Sequence, residues 1–362
     1  MNLDELKQIR ENHTRELELG LQGEKTSFPF IINTIPEQPI VKEGEEFFIL
    51  AIGGSVYIKA RCTKENGQIF IKRKDSGDKP PFDTIAEFFA FINDHVPEDI
   101  QYLALNFAYP LAPVFRNGEI LDGTLMFGTK ENSFTGLVGK KVGETIEEHL
   151  LEKRNQKLKV SVANDTVCTL LSGMSNINNS DFLGCGIVGT GINFAFFTDK
   201  THVVNLEGAN FDKFTQSKYG KMIDEVSQKP GGALFEKETS GGYLFEHFNL
   251  FCKENNLPHH LESSKELDEF AQKCDIGEHG EACKFASELL DRSAALVACQ
   301  VAGIMALKKS DMNFIMTGSL FWKAFHYKET VTKYVKQLIP EHNVKFIFVD
   351  NCEIYGAAKL LA

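Results

Sequence analysis

The sequence predicts a duplicated α/β fold with two halves and a cleft between them. Three observations predict it. Residues 46–60, EFFILAIGGSVYIKA, and residues 182–197, FLGCGIVGTGINFAFF, are both β-rich runs broken by glycines. Each opens a stretch of further strands and helices. The chain has 362 residues, more than one core usually accommodates, so two domains sharing a cleft are expected.

In chain order, residues 3–21 place Leu3, Leu6, Ile9, Leu17 and Leu21 among charges and predict an amphipathic helix. Pro29, Pro36 and Pro39 make 28–40 an extended linker. The run 46–60, the turn TKENG at 63–67 and the strand QIFIKR at 68–73 form an antiparallel meander. DTIAEFFAFINDHV at 83–96 has helical spacing with Asp83 as its cap. YLALNFAY at 102–109 and LKVSVA at 158–163 are buried strands, and THVVNLE at 201–207 is another. Residues 213–309 are mainly helical, clearest over 292–309. Strands at 312–319 and 344–350 and a short helix, YGAAKLLA, close the chain. No short repeat period suggests a solenoid.

The net charge of −11 disfavours nucleic acid or an anionic membrane as the main partner. Eight cysteines stand singly with no CxxC pair, the first 21 residues are polar, and no apolar run reaches spanning length. A cytoplasmic protein with free, mostly buried thiols is the expectation. Thirty phenylalanines are accounted for by a large core.

The glycine turns AIGGS (51–55), VGTGIN (188–193) and TGS (317–319) could each present main-chain N–H groups to a phosphate, although such a turn taken alone is more often a plain turn. None fits the P-loop or Rossmann spacing. Asp165, in ANDT after a strand, could accept a proton from a substrate hydroxyl or could cap the helix starting at Thr166. Glu207 and Glu236 could pair with sugar hydroxyls or be solvated carboxylates. Cys274, His279 and Cys283, with His259 and His260 before them, are too loosely spaced for zinc, and no metal site is expected there.

In order, these motifs resemble the hexokinase family over nearly the whole chain. ELELGLQGE (16–24), TKENSFTGLVGKKV (129–142), VANDTVCTL (162–170), GIVGTGINFAF (186–196), NLEGANF (205–211), KPGGALFEKETSGGYL (229–244), RSAALVACQVAG (292–303) and TGSLFW (317–322) carry the resemblance. It implies the actin–hexokinase–Hsp70 fold, with RNase H-like mixed sheets duplicated about a sugar and ATP cleft. The lobes would divide at 1–170 and 171–362. It implies ATP-dependent phosphorylation of a hexose at its 6-hydroxyl, with Mg2+ and with Asp165 as the base. Glucose is the first expectation; fructose, mannose or an amino sugar remain open, as does monomer against homodimer. The sugar residues would be Thr129, Lys130, Asn164, Asp165, Asn193, Glu207 and Glu236. Gly53, Gly54, Ser55, Gly189, Thr190 and Gly191 would face phosphates, and Gly318 and Ser319 the adenosine.

The resemblance breaks at particular positions. The family's first phosphate motif reads roughly DLGGTNFRV, and Ala51 stands where its aspartate helps to hold the magnesium water shell. Val56 and Ile58 replace an asparagine and an arginine, Thr317 an acidic residue, and Ala108 a serine. A sugar-binding sensor or regulator without strong phosphoryl transfer is the alternative that these changes imply.

Overall fold

The computed structural model describes residues 1–129, 132–175, 177, 179–275 and 280–362, with the side chains of 175, 274 and 275 excepted. In chain order the elements are α1 (Leu3–Leu21), β1 (Ile31–Thr34), β2 (Glu46–Ile52), β3 (Val56–Glu65), β4 (Gln68–Asp78), α2 (Ile85–His95), β5 (Tyr102–Phe107), β6 (Leu111–Arg116), β7 (Ile120–Leu125), α3 (Val142–Arg154), β8 (Lys159–Ala163) and α4 (Asp165–Ser172). There follow β9 (Leu183–Val188), β10 (Ile192–Phe197), β11 (His202–Asn205), α5 (Lys218–Val226), α6 (Leu234–Thr239), α7 (Leu244–Glu254), α8 (Ser264–Asp275), α9 (Glu281–Lys308), β12 (Met312–Thr317), α10 (Ser319–Lys323), α11 (Tyr327–Leu338), β13 (Val344–Ile347) and α12 (Cys352–Ala358).

The chain forms two compact units. One comprises Met1–Phe30, Gly184–Phe194 and Leu206–Phe348; the other comprises Ile31–Leu183, Ala195–Asn205 and Val349–Ala362. Each is therefore assembled from three segments, rather than by a single cut after residue 170.

The unit built around Ile31–Leu183 holds a five-stranded sheet in the order β4-β3-β2-β5-β8. Strands β2, β3 and β4 are antiparallel, and β2, β5 and β8 are parallel. Strand β2 is buried almost throughout and reads FFILAI after Glu46, the near-continuous apolar run of a strand covered on both faces. One face carries Leu50, Ile52, Leu105, Phe107, Val160 and Val162 onto a core containing Phe82, Phe88 and Phe134. The cap of α2 is Thr84, not Asp83: its side chain and Glu87 complete a reciprocal capping box. Two elements of this unit were not anticipated, the β6–β7 hairpin and α3. The linker expected at 28–40 also contains β1, paired with β11.

The other unit packs α1 and α11 against α9. Helix α9 spans 28 residues, longer than expected. By length and composition it could cross a membrane, but 83% of its apolar window is buried in the protein, as in a core helix. Strands β9, β12 and β13 and the first half of β10 complete the unit, with β12 and β13 parallel.

Cys62, Cys168, Cys185, Cys252, Cys299 and Cys352 are buried thiols that form no disulfide. Cys283 is disulfide-bonded, which corrects the expectation that every thiol is free.

Candidate functional site

In the unit built around Ile31–Leu183, the β2–β3 connection is a tight turn. Gly53 N–H donates to Val56 O at 2.9 Å. The hydroxyl of Tyr109 donates to Gly53 O at 3.1 Å. Burial pushes the Tyr109 phenol well up, so it stays a neutral donor. The N–H of Lys79 donates to Ser55 O at 2.8 Å. Ala51 lies one residue before the end of β2, paired with Ile58 and Asn106 and buried. A side chain at this position therefore enters a packed sheet beside the buried Asn106.

Asn164 and Asp165 lie at the C-terminal end of β8, where the strand runs into α4. The structure corrects the capping alternative for Asp165. Asn164 is the N-cap, its Oδ1 accepting Thr166 N–H at 3.0 Å, and Asp165 is the first helical residue. Asp165 Oδ1 also accepts Thr166 N–H, at 2.8 Å, and among the described residues Oδ2 accepts nothing. Asn205 Nδ2 donates to Asn164 Oδ1 at 3.4 Å, and Asn164 Nδ2 to Tyr109 O at 3.4 Å. Thr129 accepts at its carbonyl from both the N–H and the side-chain amide of Asn132, at 3.1 and 3.2 Å. Lys130 lies outside the described residues.

In the unit that contains α9, the remaining candidates converge. Gly189 N–H donates to Gly191 O at 3.0 Å, closing the β9–β10 turn. The N–H groups of Gly241 and Gly242 donate to Gly189 O and Thr190 O, at 2.7 and 3.0 Å. Gly318 sits against the same turn with φ +103, and a Cβ there would meet Val188 O at 2.1 Å. Only glycine satisfies both conditions. Ser319 begins α10 directly after it.

Glu236, on α6, accepts the N–H of Ile192 at 3.1 Å through Oε2. Its neighbours fix the helix. Lys237 pairs with Asp224, and Glu238 with Arg292, both ion pairs being largely buried. Asn193 Oδ1 accepts Gly208 N–H at 3.1 Å, tying it to the residue after Glu207. Glu207 adopts φ +53, a left-handed conformation uncommon outside glycine and a frequent mark of a functional position. Gln300, fully buried on α9, holds Gly208 O at 3.2 Å.

Sequence reasoning missed Gly241, Gly242, Asn205 and Lys79 as members of this framework. Gly241 and Gly242 stood inside the SGG of one quoted motif and Asn205 opens another, NLEGANF; Lys79 carries no local signal. Among the described residues no cluster of histidine, cysteine or acidic side chains could hold a metal ion. His259 packs on Phe270, His260 faces Glu262, and His279 lies outside the described residues.

Two hexokinase family models match the chain, one over residues 1–175 and one over 182–255 and 252–362. The chain belongs to the hexokinase family. Among relatives, hexokinase-2 of Solanum tuberosum is 30% identical, over 67% of this chain and 55% of that protein. The hexokinase of Emericella nidulans is 26% identical, over 92% of this chain and 81% of that protein. Against the plant hexokinases, the chain spans about half of the relative's length. A hexokinase crystal structure superposes with a TM-score of 0.81 at 21% identity, covering 99% of this chain and 96% of that one. The hexokinase of Schistosoma mansoni complexed with glucose gives 0.79 at 22% identity, covering 100% and 95%. The fold is therefore the actin–hexokinase type, as the resemblance implied.

Proposed function

We propose that this chain transfers the γ-phosphoryl group of ATP to the 6-hydroxyl of a hexose, with Asp165 as the general base. The observation that carries the reading is the setting of Asp165. It follows a buried parallel strand at its C-terminal end, the usual location of ligand chemistry in such sheets, and Asn164 has taken over the helix cap. One carboxylate oxygen is engaged by Thr166, and the other accepts no hydrogen bond among the described residues.

Thr129, Asn164, Asn193, Glu207 and Glu236 would pair with the sugar hydroxyls, together with Lys130. A carboxylate accepts from hydroxyls, whereas an asparagine amide both donates and accepts, so this set suits a polyol. Asp165 would take the 6-hydroxyl proton as that oxygen bonds to the γ-phosphorus and the bond to ADP breaks. The Gly53–Ser55 and Gly189–Gly191 turns would face the phosphates and Gly318–Ser319 the adenosine. Magnesium keeps several waters and binds largely through substrate phosphates, so the ion would arrive on the nucleotide without a dedicated protein cage, and Asp165 would stay free to act as the base. When bound, the ion neutralises charge building on the phosphate oxygens.

Glucose is the first substrate to test, with fructose and mannose as alternatives. A coupled assay for ADP release across hexoses and nucleotides tests the reading. Glucose binding without turnover of any of them would favour the sensor instead, the outcome to which the substitution at Ala51 points.

A further inference from the structure

Lys79 follows β4 and is only 8% exposed, an unusual setting for lysine. Its ammonium donates to Asn132 Oδ1 at 2.8 Å and to Pro80 O at 2.7 Å, and lies 4.2 Å from the centroid of the Phe82 ring. Its N–H donates to Ser55 O at 2.8 Å. Asn132, 5% exposed, also accepts the N–H of Phe82 at 2.8 Å and donates its amide to Thr129 O at 3.2 Å. One residue thus binds the Gly53–Ser55 turn with its main chain and, through Asn132, reaches Thr129 with its side chain. All of these residues belong to the same unit.

We propose that Lys79 and Asn132 are positioning residues that tie Thr129 to the Gly53–Ser55 turn, so that hexose affinity depends on a buried lysine acting through other residues. The proposal rests on the hexose kinase reading above. The physical reason is preorganisation. A loop held in its bound geometry by buried polar contacts has less freedom to lose when sugar binds. Burying the ammonium is costly unless it is paired, so the arrangement forms as a whole or not at all.

Two variants separate positioning from mere stability. Lys79→Met keeps the side-chain stem over Phe82 and the N–H to Ser55, and removes the charged donor. Asn132→Asp keeps an acceptor for Lys79 and Phe82, and puts a carboxylate oxygen where the amide donated to Thr129 O. That second change strengthens the attraction to Lys79 while replacing the side-chain bond to Thr129 O with a repulsion and leaving only the main-chain N–H on that oxygen, so the melting temperature should hold near that of the unmodified protein. Each variant should weaken glucose binding in calorimetry about tenfold, the loss of one ordinary hydrogen bond, and raise the hexose KM similarly. The kcat should change less than threefold, because the chemistry at Asp165 is untouched. Unaltered glucose affinity in folded Asn132→Asp protein would overturn the proposal. So would equal losses in kcat and kcat/KM with KM unmoved. If the unmodified chain binds no hexose, the kinase reading itself fails, and the positioning role with it.

Discussion

The main-chain N–H of Ile192 donates to the carboxylate of Glu236 at 3.1 Å, joining the β9–β10 glycine turn to a candidate sugar residue. A Cβ on Gly191 would stand 2.8 Å from the same oxygen. The turn proposed to face phosphate therefore also fixes the rotamer of a side chain proposed to bind sugar, and either position can be disturbed through the other.

Glu236→Gln tests that junction. The amide is nearly isosteric, but the charge that strengthens both the bond from Ile192 and any bond from a sugar hydroxyl is lost. Hydrogen bonds to charged groups contribute about 1.5–3 kcal/mol, so glucose affinity should fall about 10- to 100-fold. Calorimetry reads this directly, and unchanged affinity would remove Glu236 from the site.

Ala51→Asp restores a carboxylate where the family carries one. The new group would lie in a buried strand next to Asn106, so some stability should be lost. Nucleotide affinity in the presence of magnesium should rise about tenfold, the scale on which outer partners of a metal act. Nucleotide titrations monitored by turnover would show it. A less stable but equally active variant would mean that Ala51 has nothing to do with the metal.

His13 bears on stability against pH. It is fully buried on α1 between Phe28 and Phe211, neither ring nitrogen has a hydrogen-bond partner among the described residues, and burial lowers its pKa to about 3. The unfolded chain protonates this ring near pH 6.5, while the folded chain does not until about pH 3. Between those values the unfolded state holds the extra proton. Stability is thus complete above pH 6.5 and falls as pH drops, by about 1.4 kcal/mol per pH unit. Denaturant midpoints for His13→Leu between pH 4 and 6 should lose about one proton's slope relative to the unmodified protein. An identical slope in the two proteins would refute this assignment.

Asp122 should be critical to the β6–β7 hairpin and α3. It is buried, accepts the N–H groups of Gly143 and Glu144 at 2.8 and 3.0 Å, and lies 2.9 Å from Arg116 Nε. The N-cap of α3, Lys141, makes no side-chain capping bond, so Asp122 supplies the cap from another strand. Asp122→Ala should cost about 3–5 kcal/mol by leaving Arg116 buried without this partner. Urea denaturation measures it; a loss below 1 kcal/mol would contradict the assignment.

How much was legible in the sequence depended on range. The apolar runs of β2, β5 and β8 and the apolar, alanine-rich stretch of α9 are local signals, and each element is present, with α9 starting earlier than expected. The hairpin turn at Asn117–Gly118, both residues at positive φ, carried the Asn-Gly signature, but Pro113 and the polar flanks obscured the strands around it. Helix α3 is charge-rich, and its buried positions, Val142, Gly143, Ile146 and Leu150, form too thin a stripe to stand out. The candidate site residues were readable as an ordered set of motifs. Their supports, Lys79 on Asn132, Asn205 on Asn164 and Gln300 on Gly208, act across long sequence separations that no local pattern reports.

The most direct test of the central claim pairs glucose calorimetry with a coupled phosphorylation assay on the unmodified protein and on Asp165→Asn. The account predicts that both proteins bind glucose and that the unmodified protein phosphorylates a hexose with ATP. The variant should be slower by about 100- to 10,000-fold, the usual contribution of a positioned base. Comparable turnover by Asp165→Asn, or glucose binding with no phosphorylation by the unmodified chain, would contradict it.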